Sequence, residues 1–339
     1  MQRLKYELLA SGLDRLPHAL LLSGPAGVGK TAFFERIAAA LLCVEMTKEF
    51  EACGHCQACR WLAVGNHPDI RRVAPEEDAP AAVGVEGASE KTRKRGAAVI
   101  RIDQIRQLED FVFIASHRQR RVILMTQADA MNTASANALL KILEEPPPGV
   151  YFLLVTDRLR NLLPTIRSRC RVLTLGRPDA ADAAQQLAAA GLSPQTARYL
   201  DLAGGAPLRV LQWHEQGHLK PFDALIDSLA SPPGDPLALA ARWDGLLKGD
   251  AMFRLEHLVE EVQRWLFDRT LQALSGTLHY HRSWSSLSPP APSAGAAKPL
   301  LHGWQEVLRF RRSARHPLNQ LLFLEDLATH TLNALRSSH

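Results

Sequence analysis

The chain has 339 residues, of which 46% are hydrophobic and 22% charged, which is typical of a globular protein with two or three domains. Its formal net charge of +5 is compatible with a polyanionic partner such as nucleic acid, but a mildly basic surface explains it equally well. The apolar runs are far too short to span a bilayer and no signal peptide is evident, so we expect a cytoplasmic protein with no membrane partner.

The first clear signature is a phosphate-binding loop between a predicted strand, residues 20–22, and a predicted helix, residues 31–42. The loop reads GPAGVGKT and matches G-x-x-x-x-G-K-[ST] in full. Its glycines let backbone N–H groups converge on phosphates, its lysine reaches the β- and γ-phosphates, and its threonine offers a hydroxyl to Mg²⁺. The predicted nucleotide-binding residues are Gly24, Gly27, Gly29, Lys30 and Thr31. A structural glycine turn, or a loop that has lost its nucleotide, is the alternative.

Four of the five cysteines follow this helix with the spacing C-x₉-C-x₂-C-x₂-C: Cys43, Cys53, Cys56 and Cys59. In a reducing compartment such clusters are more often metal ligands than disulfides. Four thiolates would close a tetrahedron around Zn²⁺ and leave no position open for water. The spacing therefore predicts a structural zinc module over residues 43–59. The alternative is that one or two are buried thiols, with His55 or His67 completing a different site.

The next elements alternate between helix and strand. Residues 74–98, with the basic run 91–95, are interpreted as a surface loop, although that run could also touch DNA. We predict a helix over 105–113 with Asp103 as its N-cap. A strand over 122–125, a helix over 132–145 that ends at three prolines, and a strand over 151–155 follow. This alternation predicts a doubly wound parallel sheet.

The strand at 122–125 ends in Thr126 and Gln127, where a nucleotide hydrolase of this type places two carboxylates. A hydroxyl is a poor substitute for a carboxylate in the magnesium shell, and an amide cannot accept a proton from water. General-base assistance contributes roughly 10²–10⁴-fold to such reactions. Neither Asp129 nor Asp103 is a convincing replacement in the sequence. We therefore expect weakened Mg²⁺ binding and little or no ATPase activity from this chain.

Two further residues are candidate site residues. Thr156, at the polar end of strand 151–155, lies where α/β folds present groups to ligands, although it could equally cap the strand. Arg169 follows a helix-like segment, residues 162–167, and alone would be read as a surface residue paired with a carboxylate. An arginine at a subunit edge can also stabilise charge on a neighbour's γ-phosphate.

The C-terminal half is helical. Residues 178–215 are alanine-rich, residues 232–236 mark a loop, and residues 283–299 have the composition of a flexible linker or loop. We predict a nucleotide-binding-like domain at 1–177, a small helical domain at 178–217 and an all-α domain at 218–339.

Taken together, HALLLSGPAGVGKT, the four-cysteine insertion, NHPDI at 66–70, ANALLKILEEPP at 136–147 and IRSRC at 166–170 resemble the bacterial clamp-loader subunits of DNA polymerase III. These belong to the AAA+ class. The resemblance covers most of residues 15–215, and HPLNQLLFLEDL at 316–327 is similar to the helix that such subunits contribute to an oligomeric collar.

The resemblance implies an AAA+ P-loop domain with a zinc insertion, a helical lid and a helical C-terminal collar. It also implies a hetero-pentamer with gamma/tau-type and delta-type subunits that opens a sliding clamp and loads it onto primer-template DNA. In such a component of a DNA-directed DNA polymerase holoenzyme, Arg169 would act in trans on a neighbouring ATPase. Thr156 matches the sensor 1 position, and GAPLR at 205–209 makes Arg209 a sensor 2 candidate for phosphate contact.

The phosphate loop departs from the family pattern. The best-known members of this type have a degraded glycine loop, whereas the loop of this chain is intact. Passive binding of ATP or ADP thus remains open. Two other functions are alternatives. An active motor subunit of the same machine would need the missing carboxylate pair, and a zinc-dependent DNA-binding protein would bind DNA tightly on its own.

Overall fold

The computed structural model describes residues 16–47, 51–76, 99–113, 120–250, 253–284, 291–314 and 319–336. The chain divides into two compact units, residues 1–177 and 178–339. Most of the predicted loop at 74–98, the middle of the predicted linker at 283–299 and the start of the motif at 316–327 lie outside the described residues.

The first unit is built on a five-stranded sheet whose strands all pair in parallel: β1 (Ala19–Ser23), β2 (Ile70–Val73), β3 (Arg121–Met125), β4 (Val150–Thr156) and β5 (Arg171–Thr174). The strand order is β2-β3-β4-β1-β5, so β4 lies between β1 and β3. Every residue of β1, β3 and β4 is buried, as expected for strands covered on both faces. The predicted parallel sheet is confirmed.

Helices join these strands and cover the sheet: α1 (Lys30–Leu42), α2 (Gln57–Ala63), α3 (Ile102–Phe113), α4 (Thr133–Glu144) and α5 (Pro164–Arg169). The α4 helix begins after Asn132, whose side chain accepts a hydrogen bond from the Ser135 N–H, and it ends before the prolines. Short 3₁₀ turns stand at Ala128–Ala130 and Leu159–Asn161. Because parallel strands share one direction, the segments after β1, β3 and β4 meet at one edge of the sheet.

The prediction that Asp103 caps α3 was wrong. The helix already begins at Ile102, so Asp103 lies within its first turn. Instead, the side-chain oxygen of Gln104 accepts a hydrogen bond from the Arg101 N–H at 2.9 Å. The backbone donor is thereby satisfied from inside the helix, as in half of a capping box.

The second unit contains eight α-helices in its described residues: α6 (Ala180–Ala189), α7 (Tyr199–Leu202), α8 (Pro207–Glu215), α9 (Leu219–Ala230), α10 (Pro236–Gly249), α11 (Leu255–Ser275), α12 (Ala297–Ser313) and α13 (Gln320–Arg336). Short 3₁₀ turns stand at Pro194–Arg198, Arg282–Trp284 and Ala294–Ala296. Asp235 caps α10 by accepting hydrogen bonds from the N–H groups of Leu237 and Ala238. None of the described helices is long and apolar enough to cross a membrane.

The linker-like stretch 283–299 is structured at both described ends. Trp284 is buried in a 3₁₀ turn, and α12 already begins at Ala297. The turn is held to α11 by fully buried His281, whose Nδ1 lies 2.9 Å from Asp268 and whose Nε2 lies 2.6 Å from Glu261. Composition alone predicted a loop, and these long-range contacts order its beginning.

Candidate functional site

The phosphate loop connects β1 to α1, and its glycines are required by its backbone. Gly27 and Gly29 have φ angles of 77° and 94°, in the left-handed region that other residues rarely adopt. A Cβ on Gly24 would lie 2.2 Å from the carbonyl oxygen of Leu175. Thr31 is exposed in the first turn of α1. The loop geometry is therefore that expected from the motif, with N–H groups gathered at a helix N-terminus.

Lys30 is buried and its ammonium group is fully engaged. Nζ donates to the carbonyl oxygens of Gly24 at 2.9 Å and Pro25 at 2.5 Å, and it lies 2.6 Å from Oδ1 of Asp157. An ammonium group has three donors, so these contacts satisfy it. Asp157 follows β4 directly and was not singled out in the sequence. It places a carboxylate beside the phosphate loop, although not at the end of β3.

The end of β3 carries neutral side chains, as the sequence indicated. The Thr126 N–H donates to the carbonyl of Val73 in the neighbouring strand, and its hydroxyl lies 3.4 Å from the same oxygen. Gln127 has a φ of 50° and is, among the described residues, the non-glycine residue with a left-handed backbone. Such a conformation is uncommon outside glycine, asparagine and aspartate.

Thr156 is buried at the end of β4, in register with Ser23 of β1. Its hydroxyl donates to Oδ1 of Asp129 at 2.8 Å and accepts from the Arg158 N–H at 3.0 Å. Asp129 stands in the 3₁₀ turn after β3. Asp129 is not a convincing replacement carboxylate in the sequence, yet in the structure it contacts the sensor 1 candidate directly.

Arg169 is the last residue of α5 and is about one third exposed. One guanidinium nitrogen lies 2.5 Å from Glu144, at the end of α4, and the other donates to the carbonyl of Thr165 at 3.2 Å. The surface ion pair that the sequence suggested as the plain alternative is thus present. Its exposure also leaves the guanidinium available at the protein surface.

Arg209 belongs to α8 in the second unit, where it pairs with Glu260 of α11 at 2.9 Å and packs over the Trp213 ring. Burial disfavours the charged form and lowers the pKa of Arg209. Burial likewise opposes ionisation of Glu260, but Arg264 and Arg209 hold its pKa at about 2. A phosphate contact by Arg209, which stays a prediction, would compete with this pair.

The four clustered cysteines come together as the spacing predicted. Their Sγ atoms lie within 4.8 Å of one another, with pairs at 3.7 and 3.9 Å. Zinc–sulfur bonds of about 2.3 Å in a tetrahedron place sulfurs about 3.8 Å apart, so the donor set fits Zn²⁺. His55 contacts Glu45 and the carbonyl of Cys53 rather than completing the thiol cluster.

Backbone N–H groups and burial shift the pKa values of these thiols in opposite directions. Burial opposes ionisation of Cys56, but the N–H groups of Val44 and Cys59 and the adjacent thiols lower its pKa to about 6. Burial raises the pKa of Cys59 to about 12. Hydrogen bonds from the Cys53 N–H to Cys43 Sγ, at 3.3 Å, and from the Cys56 N–H to Cys53 Sγ, at 3.4 Å, orient two sulfurs. The cluster is suited to a structural metal.

Comparison with known proteins identifies relatives over both units. A family model described as "DNA polymerase III, delta subunit" matches residues 2–179. DNA polymerase III subunit delta' of Pseudomonas aeruginosa is 42% identical over 205 residues, covering 59% of this chain and 56% of that protein. The Escherichia coli K12 subunit delta' is 30% identical over 296 residues, covering 78% of this chain and 82% of that protein.

A second kind of subunit is also similar. DNA polymerase III subunit gamma/tau of Mycobacterium bovis is 37% identical over 164 residues, covering 48% of this chain and 25% of that protein. The chain thus spans about half the length of the Pseudomonas relative, a quarter of the gamma/tau relative and most of the Escherichia coli relative.

Proposed function

The chain belongs to the DNA polymerase III delta-prime family, and from this premise we propose that it acts as a clamp-loader subunit that does not itself hydrolyse ATP. In this role it takes part in ATP-driven opening of the sliding clamp and its loading onto primer-template DNA. The observation that carries the proposal is that the end of β3 is neutral, at Thr126 and Gln127, in a chain whose phosphate loop is intact.

The division between binding and hydrolysis follows from charge. The backbone N–H groups of the loop can donate to phosphates at the helix N-terminus, which supports binding of ATP or ADP. Lys30 would exchange its contacts with Gly24, Pro25 and Asp157 for the phosphates. At the end of β3 no carboxylate supports Mg²⁺ or accepts a proton from water, which supports slow or absent turnover. Thr156, at the edge of the sheet and hydrogen-bonded to Asp129, is proposed to sense the nucleotide. Arg209 is proposed as the second phosphate contact.

In this proposal Arg169 is the residue through which the subunit contributes to ATP hydrolysis by its neighbour. It stands at the end of a short helix with its guanidinium partly exposed, so an anion on another subunit can reach it. An arginine contributed in trans stabilises charge on a transferring phosphoryl group and is worth roughly 10³–10⁵-fold in rate. The partners proposed are gamma/tau-type and delta-type subunits in a hetero-pentamer.

The zinc module has a structural role in this proposal. Bound to Cys43, Cys53, Cys56 and Cys59, Zn²⁺ would crosslink residues 43–59 and leave no coordination position for catalysis. The thiolates fix the connection between α1 and α2, and the module contributes to folding rather than to turnover.

The test compares the chain alone with the mixture of clamp-loader subunits. ATP turnover should be absent from the chain and appear only in the mixture. Arg169→Ala should lower turnover of the assembled complex without loss of assembly, and the exposed neighbour Arg167→Ala serves as a matched control. Turnover that is unchanged by Arg169→Ala would remove the trans-acting arginine from the proposal.

A second candidate function, an ATPase motor subunit, is favoured by one observation. Asp157 beside Lys30 and Asp129 beside Thr156 bring two carboxylates to the edge of the sheet that carries the phosphate loop. Brisk turnover by the purified chain, abolished by Lys30→Ala and by Asp157→Asn, would establish the motor function and reject the non-hydrolysing one.

A further inference from the structure

We infer that Glu144 is a positioning residue for Arg169, holding the guanidinium at the subunit surface until an anion of a neighbouring subunit takes its place. The inference rests on the proposed trans action of Arg169 and adds a second residue to it. It predicts that the arginine reaches the neighbour's phosphate already ordered, because Glu144 has restricted its side chain beforehand.

The contacts hold two sides of the guanidinium group. Glu144 Oε1 lies 2.5 Å from Nη2 of Arg169, and the carbonyl oxygen of Thr165 accepts from Nη1 at 3.2 Å. An unrestrained arginine side chain has considerable rotamer entropy, which binding an anion would otherwise have to overcome. A guanidinium has further N–H donors beyond these two contacts, so part of its planar fork can meet a second anion.

Both ends of the pair are set by buried packing. On α4, Ile142 and Leu143 immediately precede Glu144 and are buried, so the register of this last turn is fixed by the core. On α5, Ile166 is fully buried in the same cluster, and Pro164 fixes the first turn. The carboxylate and the guanidinium are therefore presented to each other by two anchored helix ends.

Helix stability does not account for an acid at this position. The C-terminus of a helix carries partial negative charge, so a carboxylate in its last turn is unfavourable. The α4 helix ends with Glu144 and then Glu145, and both are exposed. Of these two, Glu144 makes the ion pair with Arg169. Glu145 provides a matched control with the same chemistry one residue away.

The pair is also weak enough to be exchanged. Glu144 is about half exposed and Arg169 about one third exposed. Exposed ion pairs contribute little to stability because solvent screens them, whereas a phosphate offers more charge and a bidentate geometry to the same fork. Glu144 thus restricts the arginine side chain without preventing a phosphate from replacing it as the partner.

The experiment uses the full complex and four variants of this chain: Glu144→Gln, Glu145→Gln, Arg169→Ala and the double variant Glu144→Gln/Arg169→Ala. The quantity measured is Arg169-dependent turnover, defined as the rate of the complex minus the rate of the Arg169→Ala complex. Glu144→Gln should lower the kcat of this component roughly two- to fivefold, the size of an exposed ion pair, with KM for ATP unchanged. Glu145→Gln should leave it unchanged.

The double variant separates positioning from a general structural role. If Glu144 acts through Arg169, Glu144→Gln causes no further loss in the Arg169→Ala background. An equal loss in both backgrounds, no loss from Glu144→Gln, or a gain from it would each overturn the inference while leaving the arginine's own role intact. If Arg169→Ala itself has no effect, it is the proposed function that fails.

Discussion

Raising the pH should lower the unfolding free energy of the second unit by deprotonating His281. This imidazole is completely buried between Asp268 and Glu261, and Asp268 also accepts hydrogen bonds from the N–H groups of His279, Tyr280 and His281. Burial alone would lower the pKa of His281, but the two carboxylates outweigh it and raise the pKa to about 9. The folded protein thus binds a proton that the unfolded chain releases near pH 6.5.

The sign follows from linkage between protonation and folding. Because the folded pKa is raised, the stabilisation is fully present below pH 6.5 and is lost as the pH rises through about 9. At about 1.4 kcal/mol for each pKa unit, the difference corresponds to roughly 3 kcal/mol of unfolding free energy. Glu261 also contacts Arg264, at 3.3 Å.

The assay follows urea unfolding by tryptophan fluorescence between pH 6 and pH 10, since the Trp265 ring packs edge-on against His281 with ring centroids 5.0 Å apart. The difference between the wild type and His281→Gln should be largest near pH 6 and should shrink as the pH passes 9. If the variant does not fold, an NMR titration of the wild-type imidazole decides. A His281 that loses its proton below pH 7 would refute the reasoning.

Three other predictions concern the metal, the loop and acid stability. Freshly purified protein should carry one equivalent of zinc, and Cys56→Ser should reduce it below about half an equivalent while His55→Ala retains it, as metal analysis will show. Gly24→Ala should destabilise the first unit by about 1–3 kcal/mol in thermal unfolding, because its Cβ would meet a backbone carbonyl at 2.2 Å, whereas Gly176→Ala, which meets nothing within 4 Å, should be neutral. Burial lowers the pKa of His257 to about 4, so stability should fall as the pH drops from 6.5 toward 4, and a flat urea profile in that range would contradict this.

Much of the sheet domain could be predicted from the sequence because its signals are local. The apolar run 122–125 became β3 with one added residue, and the helix predicted over 132–145 is α4 within one residue at each end. Asn132 and the prolines mark those ends in the sequence itself. The prediction that Asp103 caps α3 was wrong because the side chain of Gln104 accepts the hydrogen bond from the backbone donor instead. Composition does not distinguish which of the two side chains acts as the cap.

The site was predicted where a motif specifies it and missed where partners are distant in sequence. The phosphate loop and the four cysteines are contained in short, recognisable spacings. By contrast, Asp157 reaches Lys30 only because β4 lies beside β1, and Glu144 reaches Arg169 only because two helix ends meet. Such pairings depend on strand order and packing, which periodicity does not report.

The β4 strand lies between β1 and β3 and so separates the phosphate loop from the end of β3. Strands are about 4.8 Å apart, so the phosphate loop and the end of β3 lie about 10 Å from each other, with the end of β4 between them. At that tip, Asp157 touches Lys30 on one side and Thr156 touches Asp129 on the other. The same short stretch, residues 157–169, then runs directly to Arg169. Lys30 is therefore connected to Arg169 by one ion pair and one short segment of the chain.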